Sequence, residues 1–284
     1  MYDINSKKIS FDSNSTSIDA TPSRIYVMQP DTGKEKIENH DLIQDINNAI
    51  IEEYHLTATP IKTNRLDSRL RNDDGYNYDN LHKIMDNEYK RDNYGNFLGK
   101  AYDNEESLMN DLNKLDQIYK DFPGFKYYNQ VLYDEAYGSY NIKEAGCCPT
   151  CLAMVLTYLT KDNVLPTDLT DTMSKYLYPD GTDVTGNCYY DTCSKYNIKP
   201  TMLNWQDKTE VQQALETNKP LILNVSTGNF TGSGHYIVLL GLDDKGDVIV
   251  ADPNNINTSV QSYSLDSLLN QTHQIGAACW SFEV

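Results

Sequence analysis

The chain has 284 residues and a formal net charge of −17, with 24 basic and 41 acidic side chains. This length suits one large domain or two ordinary ones, and the acidic charge argues against nucleic acid as a partner. No stretch approaches the roughly 20 apolar residues of a membrane span, and the N-terminus lacks the apolar core of a signal peptide. Six cysteines are too few for a disulfide scaffold, so the expected compartment is the cytoplasm, with non-classical export as the alternative.

The first 124 residues are predicted to form a mainly helical accessory region. Its first 35 residues are polar, which predicts a loosely ordered arm with a short extended piece at 24–28. Apolar residues at helical spacing predict helices near 41–54, 80–89 and 104–121. The alternative interpretation is a propeptide-like segment that covers an active site, or a module that docks a partner.

A cysteine-rich segment, Gly146–Cys151, opens the next predicted helix with the letters GCCPTC. Pro149 suits a first helical turn, and apolar residues at helical spacing continue to Leu159. The free N–H groups and the dipole at a helix N-terminus favour thiolate over thiol, and thiolate is the form that attacks carbonyl carbon. The pattern therefore predicts a reactive cysteine at the mouth of a buried helix.

The remaining elements change from helices to strands near Pro220. Helices are predicted at 167–178, 186–196, from Asp207 onward, and at 264–270. Strands are predicted at 201–205, 221–226, 236–242, 248–251 and 275–282. A helix bearing cysteine, further helices and then an antiparallel sheet make an α+β fold, not a repeating βαβ fold.

The two strands that flank Asp243–Asp247 are predicted to form a hairpin with chemistry at its open end. His235 begins the first strand and Asp252 follows the second, so pairing brings the two residues close. Whether their side chains share a face depends on the register of the turn, and a loop of odd length permits it. A carboxylate that holds one ring nitrogen leaves the other free to take a proton from a thiol.

Together the segments GCCPTCLAMVL at 146–156, GHYIVLLG at 234–241 and VADP at 250–253 resemble papain-like cysteine peptidases. They are most similar to the bacterial group related to double-glycine leader peptidases. The resemblance covers about residues 126–284 and implies a papain-like domain over 125–284, with the nucleophile helix and other helices packed on the antiparallel sheet. The chain departs from the group's motif at Cys148, where glycine is usual, and at Cys151, where serine is usual.

The resemblance implies that Cys147 is the nucleophile, His235 the base and Asp252 the acid that orients the base. It also implies an upstream side-chain donor to the oxyanion hole, for which we choose Gln130, with Asn141 as the alternative. Cys148 and Cys151 are interpreted as packing or modulating thiols, which a disulfide could link reversibly. The expected reaction is cleavage of a peptide or isopeptide bond without a cofactor or metal, and deamidation or transamidation is the alternative.

Three alternative functions fit the sequence less well. Cys148 and Cys151 also form a CxxC pair, but the polar segment before them is unlike the strand that precedes a redox CxxC. Cys188 and Cys193 lack a second pair that would complete a zinc site. The third alternative is an inactive papain-like binding module, but the presence of all three triad residue types argues against it. Trp205 and Trp280 could line a cleft, although a core position is the expectation for both.

Overall fold

A computed structural model describes residues 2–3, 8–9, 63–72, 75–181, 183–274 and 277–284. Residues that contact one another group into two compact units, Met1–Glu53 and Tyr54–Val284. The extended piece expected at 24–28 and the helix expected at 41–54 lie outside the described residues. Apart from one short strand pair in the first unit, every described element belongs to the second.

The helices of the described residues are numbered in chain order. They are α1 (Tyr78–Asn87), α2 (Glu105–Ile118), α3 (Ile142–Ala145), α4 (Cys147–Thr160), α5 (Thr170–Met173), α6 (Asn187–Ser194), α7 (Lys208–Glu216), α8 (Ile256–Ser259) and α9 (Leu265–Leu269). Short 3-10 turns occupy Ser68–Leu70, Tyr119–Asp121, Gln130–Leu132, Pro166–Leu169 and Ser174–Tyr176.

The strands are numbered in the same way. They are β1 (Tyr2–Asp3), β2 (Lys8–Ile9), β3 (Arg71–Asn72), β4 (Gly75–Tyr76), β5 (Tyr89–Arg91), β6 (Phe97–Lys100), β7 (Ala136–Tyr137), β8 (Tyr140–Asn141), β9 (Lys199–Met202), β10 (Leu221–Val225), β11 (His235–Leu242), β12 (Val248–Ala251), β13 (Ser262–Tyr263) and β14 (Cys279–Glu283).

Six strands form an antiparallel sheet in the order β13-β12-β11-β10-β14-β9. Alternate residues of its central strands belong to two core clusters, one on each face. The face that carries Val238 packs against the nucleophile helix α4, whereas the face that carries Leu239 packs against α7 and α9. Because both faces are covered, β11 is buried along nearly its whole length. The mixed helices and sheet confirm the predicted α+β class.

A bulge in the β11–β12 hairpin determines which residues face each other at its open end. Leu242 pairs with Val248, but beyond Gly241 the register shifts, and Leu239 then pairs with Val250. Leu240 is the extra residue, so every pair between it and the open end is offset by one residue, and different side chains come to share a face. Continuation of the shifted register to the open end places Asp252 opposite Ile237. The side chain of Asp252 then lies on the same face of the sheet as those of Ile237 and His235.

Residues before the predicted boundary at 124/125 contribute to the same core as those after it. Leu81, Ile84 and Leu112 are fully buried in the cluster that contains Leu152 and Val155 of α4. The hydroxyl of Tyr119 donates to the carbonyl of Val250 at 3.0 Å, which ties this region to the β11–β12 hairpin. The boundary itself stays a prediction.

One predicted helix is broken into three pieces. A single helix is expected at 167–178, but the structure has a 3-10 turn, then the one-turn helix α5, then a second 3-10 turn. Threonine, serine and aspartate side chains compete with helical hydrogen bonds, as where Thr170 Oγ1 donates to the carbonyl of Thr167 at 3.0 Å. The apolar periodicity was visible in the sequence, but the local polar competition prevailed over it.

Candidate active site

Cys147 is the first residue of α4 and is half-buried at the end of a cleft. Gly146 precedes it at the N-cap, where an added Cβ would lie 2.5 Å from the carbonyl oxygen of Ile142. Only glycine lets α3 approach α4 so closely. The close approach places the thiol at the positive end of a 14-residue helix.

His235 and Asp252 form a hydrogen-bonded pair, with the histidine Nε2 2.7 Å from the carboxylate Oδ1. Cys147 and His235 line the same cleft, and the thiol contributes to the raised pKa of the imidazole. Since Nε2 is occupied by Asp252, Nδ1 is the ring nitrogen left for the sulfur. The structure thus brings His235 and Asp252 into direct contact and places Cys147 in the same cleft as His235.

The surroundings of His235 favour its protonated form. Burial opposes the charge, but the Asp252 carboxylate, with a further contribution from Cys147, outweighs burial and raises the pKa of His235 to about 10. An imidazolium beside a thiol favours the thiolate by the same attraction. The imidazole of His235 is therefore held as a proton donor in the cleft that Cys147 lines.

The Asp252 carboxylate is fully buried and held by hydrogen bonds in addition to the one with histidine. Thr258 Oγ1 donates to Oδ2 at 2.7 Å, and the backbone N–H of Asn254 donates to Oδ1 at 2.9 Å. The backbone N–H of Asp252 donates to Ser259 Oγ at 2.9 Å. These contacts, from the turn into α8, fix the carboxylate in the orientation that meets the ring.

Of the two candidate oxyanion donors, Gln130 lines the cleft and Asn141 does not. Gln130 Nε2 donates to the carbonyl of Lys143 at 3.0 Å, and its backbone N–H donates to the carbonyl of Pro253 at 2.7 Å. Asn141 is instead the N-cap of α3, where it forms a capping box with Glu144. The geometry thus favours Gln130 over Asn141 as the residue near the thiol.

Cys148 and Cys151 are buried, and the burial raises the pKa of both thiols well above the ordinary value. The sulfur of Cys148 lies 3.2 Å from the hydroxyl oxygen of Tyr189, and Cys151 donates to the carbonyl of Tyr236 at 3.3 Å. Both are free thiols. A buried thiol of high pKa is a weak nucleophile, so these contacts suit packing, and a modulating role stays a prediction.

The cleft has a volume of about 290 Å³ and walls from two parts of the chain. One wall carries Gln130, Glu144, Cys147 and His235, and the loop before His235 contributes Phe230, Thr231 and Ser233. The other wall carries Asn87, Tyr89 and Arg91, from the end of α1 and from β5. Trp205 and Trp280 do not line it, and Trp280 is buried in the core.

Glu88 is a buried carboxylate that the sequence reasoning missed. One oxygen accepts from Asn129 Nδ2 at 2.9 Å, and the other accepts from the backbone N–H of Ile256 at 2.8 Å. Burial raises the pKa of Glu88 well above its ordinary value. The side chain thereby joins the residue before Gln130 to the turn that holds Asp252. Nothing in the polar stretch 56–104 marked it, because its partners are far away in sequence.

A model of the Peptidase_C39 like family matches residues 122–280, which is more than half of the chain. The chain belongs to this family. The predicted resemblance to a group of papain-like cysteine peptidases is thereby confirmed. No curated protein matched the chain. A crystal structure described as that of a candidate C39-like peptidase from Bacillus anthracis is similar at 16% identity and a TM-score of 0.38, covering 50% of this chain and 90% of that chain.

Two further findings concern the part of this C39-like chain that the structure describes. Within it, no group of three or more histidine, cysteine or acidic side chains is arranged to hold a metal ion. No helix within it is long and apolar enough to cross a membrane. The family match begins at residue 122, so α1, α2 and the hairpin of β5 and β6 precede it.

Proposed function

We propose that this C39-like protein is a cysteine peptidase that cleaves a peptide or isopeptide bond through Cys147, His235 and Asp252. The observation that carries the proposal is the pair of Asp252 and His235, with Oδ1 2.7 Å from Nε2, beside the half-buried Cys147 in the same cleft. Membership of a family of cysteine peptidases supports the same function.

The first half-reaction makes an acyl-enzyme. The thiolate of Cys147 attacks the carbonyl carbon, and the new oxyanion accepts hydrogen bonds from the backbone N–H of Cys147 and from Gln130 Nε2. His235 gives its Nδ1 proton to the leaving nitrogen as the carbon–nitrogen bond breaks. The amine product leaves and a thioester remains.

The second half-reaction restores the enzyme. The neutral imidazole of His235 takes a proton from water, and the resulting hydroxide attacks the thioester carbon. The carbon–sulfur bond breaks, so that the acid product leaves and thiolate and imidazolium form again. Asp252 keeps the ring oriented and its positive charge stabilised throughout.

Hydrolysis of a mixed peptide library by the purified full chain tests this proposal. Cys147→Ala should lower kcat/KM by at least roughly 10³-fold, because no other thiol faces the base, whereas Cys148→Ala should change it little. Mass spectra of the products distinguish cleavage from a deamidation that adds about one mass unit without breaking the chain. Cleavage that survives Cys147→Ala would overturn the proposal.

A further inference from the structure

We propose that Arg91, on β5, is the specificity-determining residue of the cleft and that it binds a carboxylate of the peptide substrate. The inference rests on the proposed peptidase function and adds a substrate class to it. Arg91 precedes the family match and lines the same cleft as Cys147 and His235. We name β5, β6 and their turn, residues 89–100, the wall hairpin.

The guanidinium of Arg91 is held in place by the wall hairpin itself. One of its nitrogens donates to the carbonyl of Gly95 at 2.6 Å, and its carbon lies 4.0 Å above the ring of Phe97. The same nitrogen lies 3.2 Å from where a Cβ of Gly232 would be, in the loop that leads to His235. The side chain is thus packed between the hairpin and that loop, with little rotational freedom to lose on binding.

The wall hairpin is fixed to the catalytic half of the molecule by three contacts. Asn229 Nδ2 donates to Asn93 Oδ1 at 2.8 Å, and Asn255 Nδ2 donates to the carbonyl of Tyr89 at 2.9 Å. Gly95 packs so closely that an added Cβ would lie 2.8 Å from the carbonyl oxygen of Thr231. Arg91 therefore has a defined position relative to the strand that begins at His235.

The charge of Arg91 is left for a ligand. Among the described residues, no carboxylate lies within ion-pair distance of its guanidinium, although the chain has an excess of 17 acidic side chains. A guanidinium has five N–H donors in a planar fork that matches a carboxylate, and only one described hydrogen bond uses them. A preformed cation that faces the cleft without an anion is suited to bind an anionic group of the substrate.

The acidic surface does not conflict with this preference. Repulsion between exposed charges is screened beyond about 8–10 Å at physiological ionic strength, whereas a direct ion pair in the cleft is not. Glu144 also lines the cleft, and its negative charge disfavours a second acidic group beside it. The cleft thus favours a peptide with one carboxylate in a particular place, supplied either by an Asp or Glu side chain or by a free C-terminus.

Binding to the full chain carrying Cys147→Ala tests the inference without requiring turnover. The probes are blocked eight-residue peptides with one Asp or Glu moved along the sequence, their Asn and Gln counterparts, and the same neutral peptides with a free C-terminal carboxylate. Ligand-observed NMR gives the dissociation constants. At one position or at the free terminus, the carboxylate should strengthen binding roughly 10- to 100-fold.

A second variant assigns that preference to Arg91. Adding Arg91→Gln should abolish the preference, so that the acidic peptides and their neutral counterparts bind within about twofold of each other. Lys90→Gln, which changes a neighbouring cation outside the cleft, should keep the preference. The inference is overturned if no carboxylate is preferred, or if the preference survives Arg91→Gln. Since binding is read without hydrolysis, these outcomes are separate from a failure of Cys147-dependent cleavage.

Discussion

Residues 122–280, which match the C39-like family, and residues 63–121, which precede the match, meet at one cleft but contribute different groups. The first stretch supplies the thiol, the imidazole, the carboxylate and the amide of Gln130. The second supplies Tyr89 and Arg91, which also line the cleft, and the buried carboxylate of Glu88, which accepts from Asn129. The candidate catalytic residues thus lie within the family match, whereas Tyr89 and Arg91 of the cleft lie before it.

The difference between the two stretches also bears on the inhibitor hypothesis for the N-terminal region. Within residues 63–121, α1 and the wall hairpin form a side of the cleft and leave Cys147 half-buried at its end. Glu88 adds hydrogen bonds to the two turns that carry Gln130 and Asp252. We therefore expect this part of the region to complete the active site, so that its removal should weaken the enzyme.

The largest effect should come from the first stretch, through Asp252. Its carboxylate raises the pKa of His235 from 6.5 to about 10, so Asp252→Asn should return that pKa toward its ordinary value. The basic limb of the pH profile of kcat/KM, near pH 10 in the parent, should move to lower pH, with a loss of roughly 10²- to 10⁴-fold at pH 8. Asp244→Asn, in the turn at the other end of the same hairpin, is the control. If the basic limb of the pH profile does not move in Asp252→Asn, the role assigned to Asp252 is contradicted.

The same pKa predicts how stability depends on pH. The folded state binds the His235 proton more tightly than the unfolded state does, so this contribution is complete below pH 6.5 and is lost as pH rises to about 10. Calorimetry of the parent and of His235→Asn should show that the difference in Tm between them narrows over this range. A difference that widens toward pH 10 would mean that the histidine is held neutral.

A smaller effect is expected from the second stretch, through Glu88. Glu88→Ala removes the acceptor for Asn129 Nδ2 and for the N–H of Ile256, and each unsatisfied buried donor costs about 1–3 kcal/mol. We expect a Tm lower by several degrees and a lower kcat, with Glu88→Gln recovering part of both. Glu216→Ala, at an exposed site, should shift stability by no more than about 0.5 kcal/mol. Unchanged kcat in Glu88→Ala would show that the two turns keep their positions without it.

The smallest effect should come from the contact between the two stretches at Gly95. Gly95 and Gly246 have similar positive φ angles, +80° and +83°. An added Cβ would meet nothing within 4 Å at Gly246, whereas at Gly95 it would lie 2.8 Å from the carbonyl oxygen of Thr231. Both alanine variants should lose about 1 kcal/mol through backbone strain. Only Gly95→Ala should also raise KM for peptides, because it displaces the wall hairpin. Equal KM in both variants would mean that the hairpin does not contact the substrate.

The approach of His235 to Asp252 could be predicted in part from the sequence. The polar turn at 243–247 between two apolar runs indicated that the two residues lie at one end of a hairpin. Their common face could not be predicted, because it depends on the bulge at Leu240, an apolar residue within an apolar run. Gly241, an isolated glycine within the apolar run, is a signal of a bulge, but it does not show which residue is the extra one.

The helix near 80–89 that leads to this wall of the cleft could be predicted, but the roles of the residues after it could not. Arg91 and Glu88 lie in a stretch rich in Asn, Asp and Tyr that indicates turns and no chemistry. Their meaning depends on contacts with Gly232 and Ile256, more than 100 residues later, which only the tertiary structure creates. Periodicity and motifs report on local structure, so a side chain whose role depends on distant partners escapes them.

The most direct test of Cys147 as the nucleophile is mass spectrometry of the full chain after treatment with an epoxide probe for cysteine peptidases. We expect one adduct, on Cys147, that disappears in Cys147→Ala and persists in Cys148→Ala and Cys151→Ala. Labelling should also be slower when His235 is replaced by alanine, because the thiolate then lacks its ion-pair partner. An adduct on Cys148 or Cys151, or labelling of Cys147 at an unchanged rate without His235, would contradict the assignment.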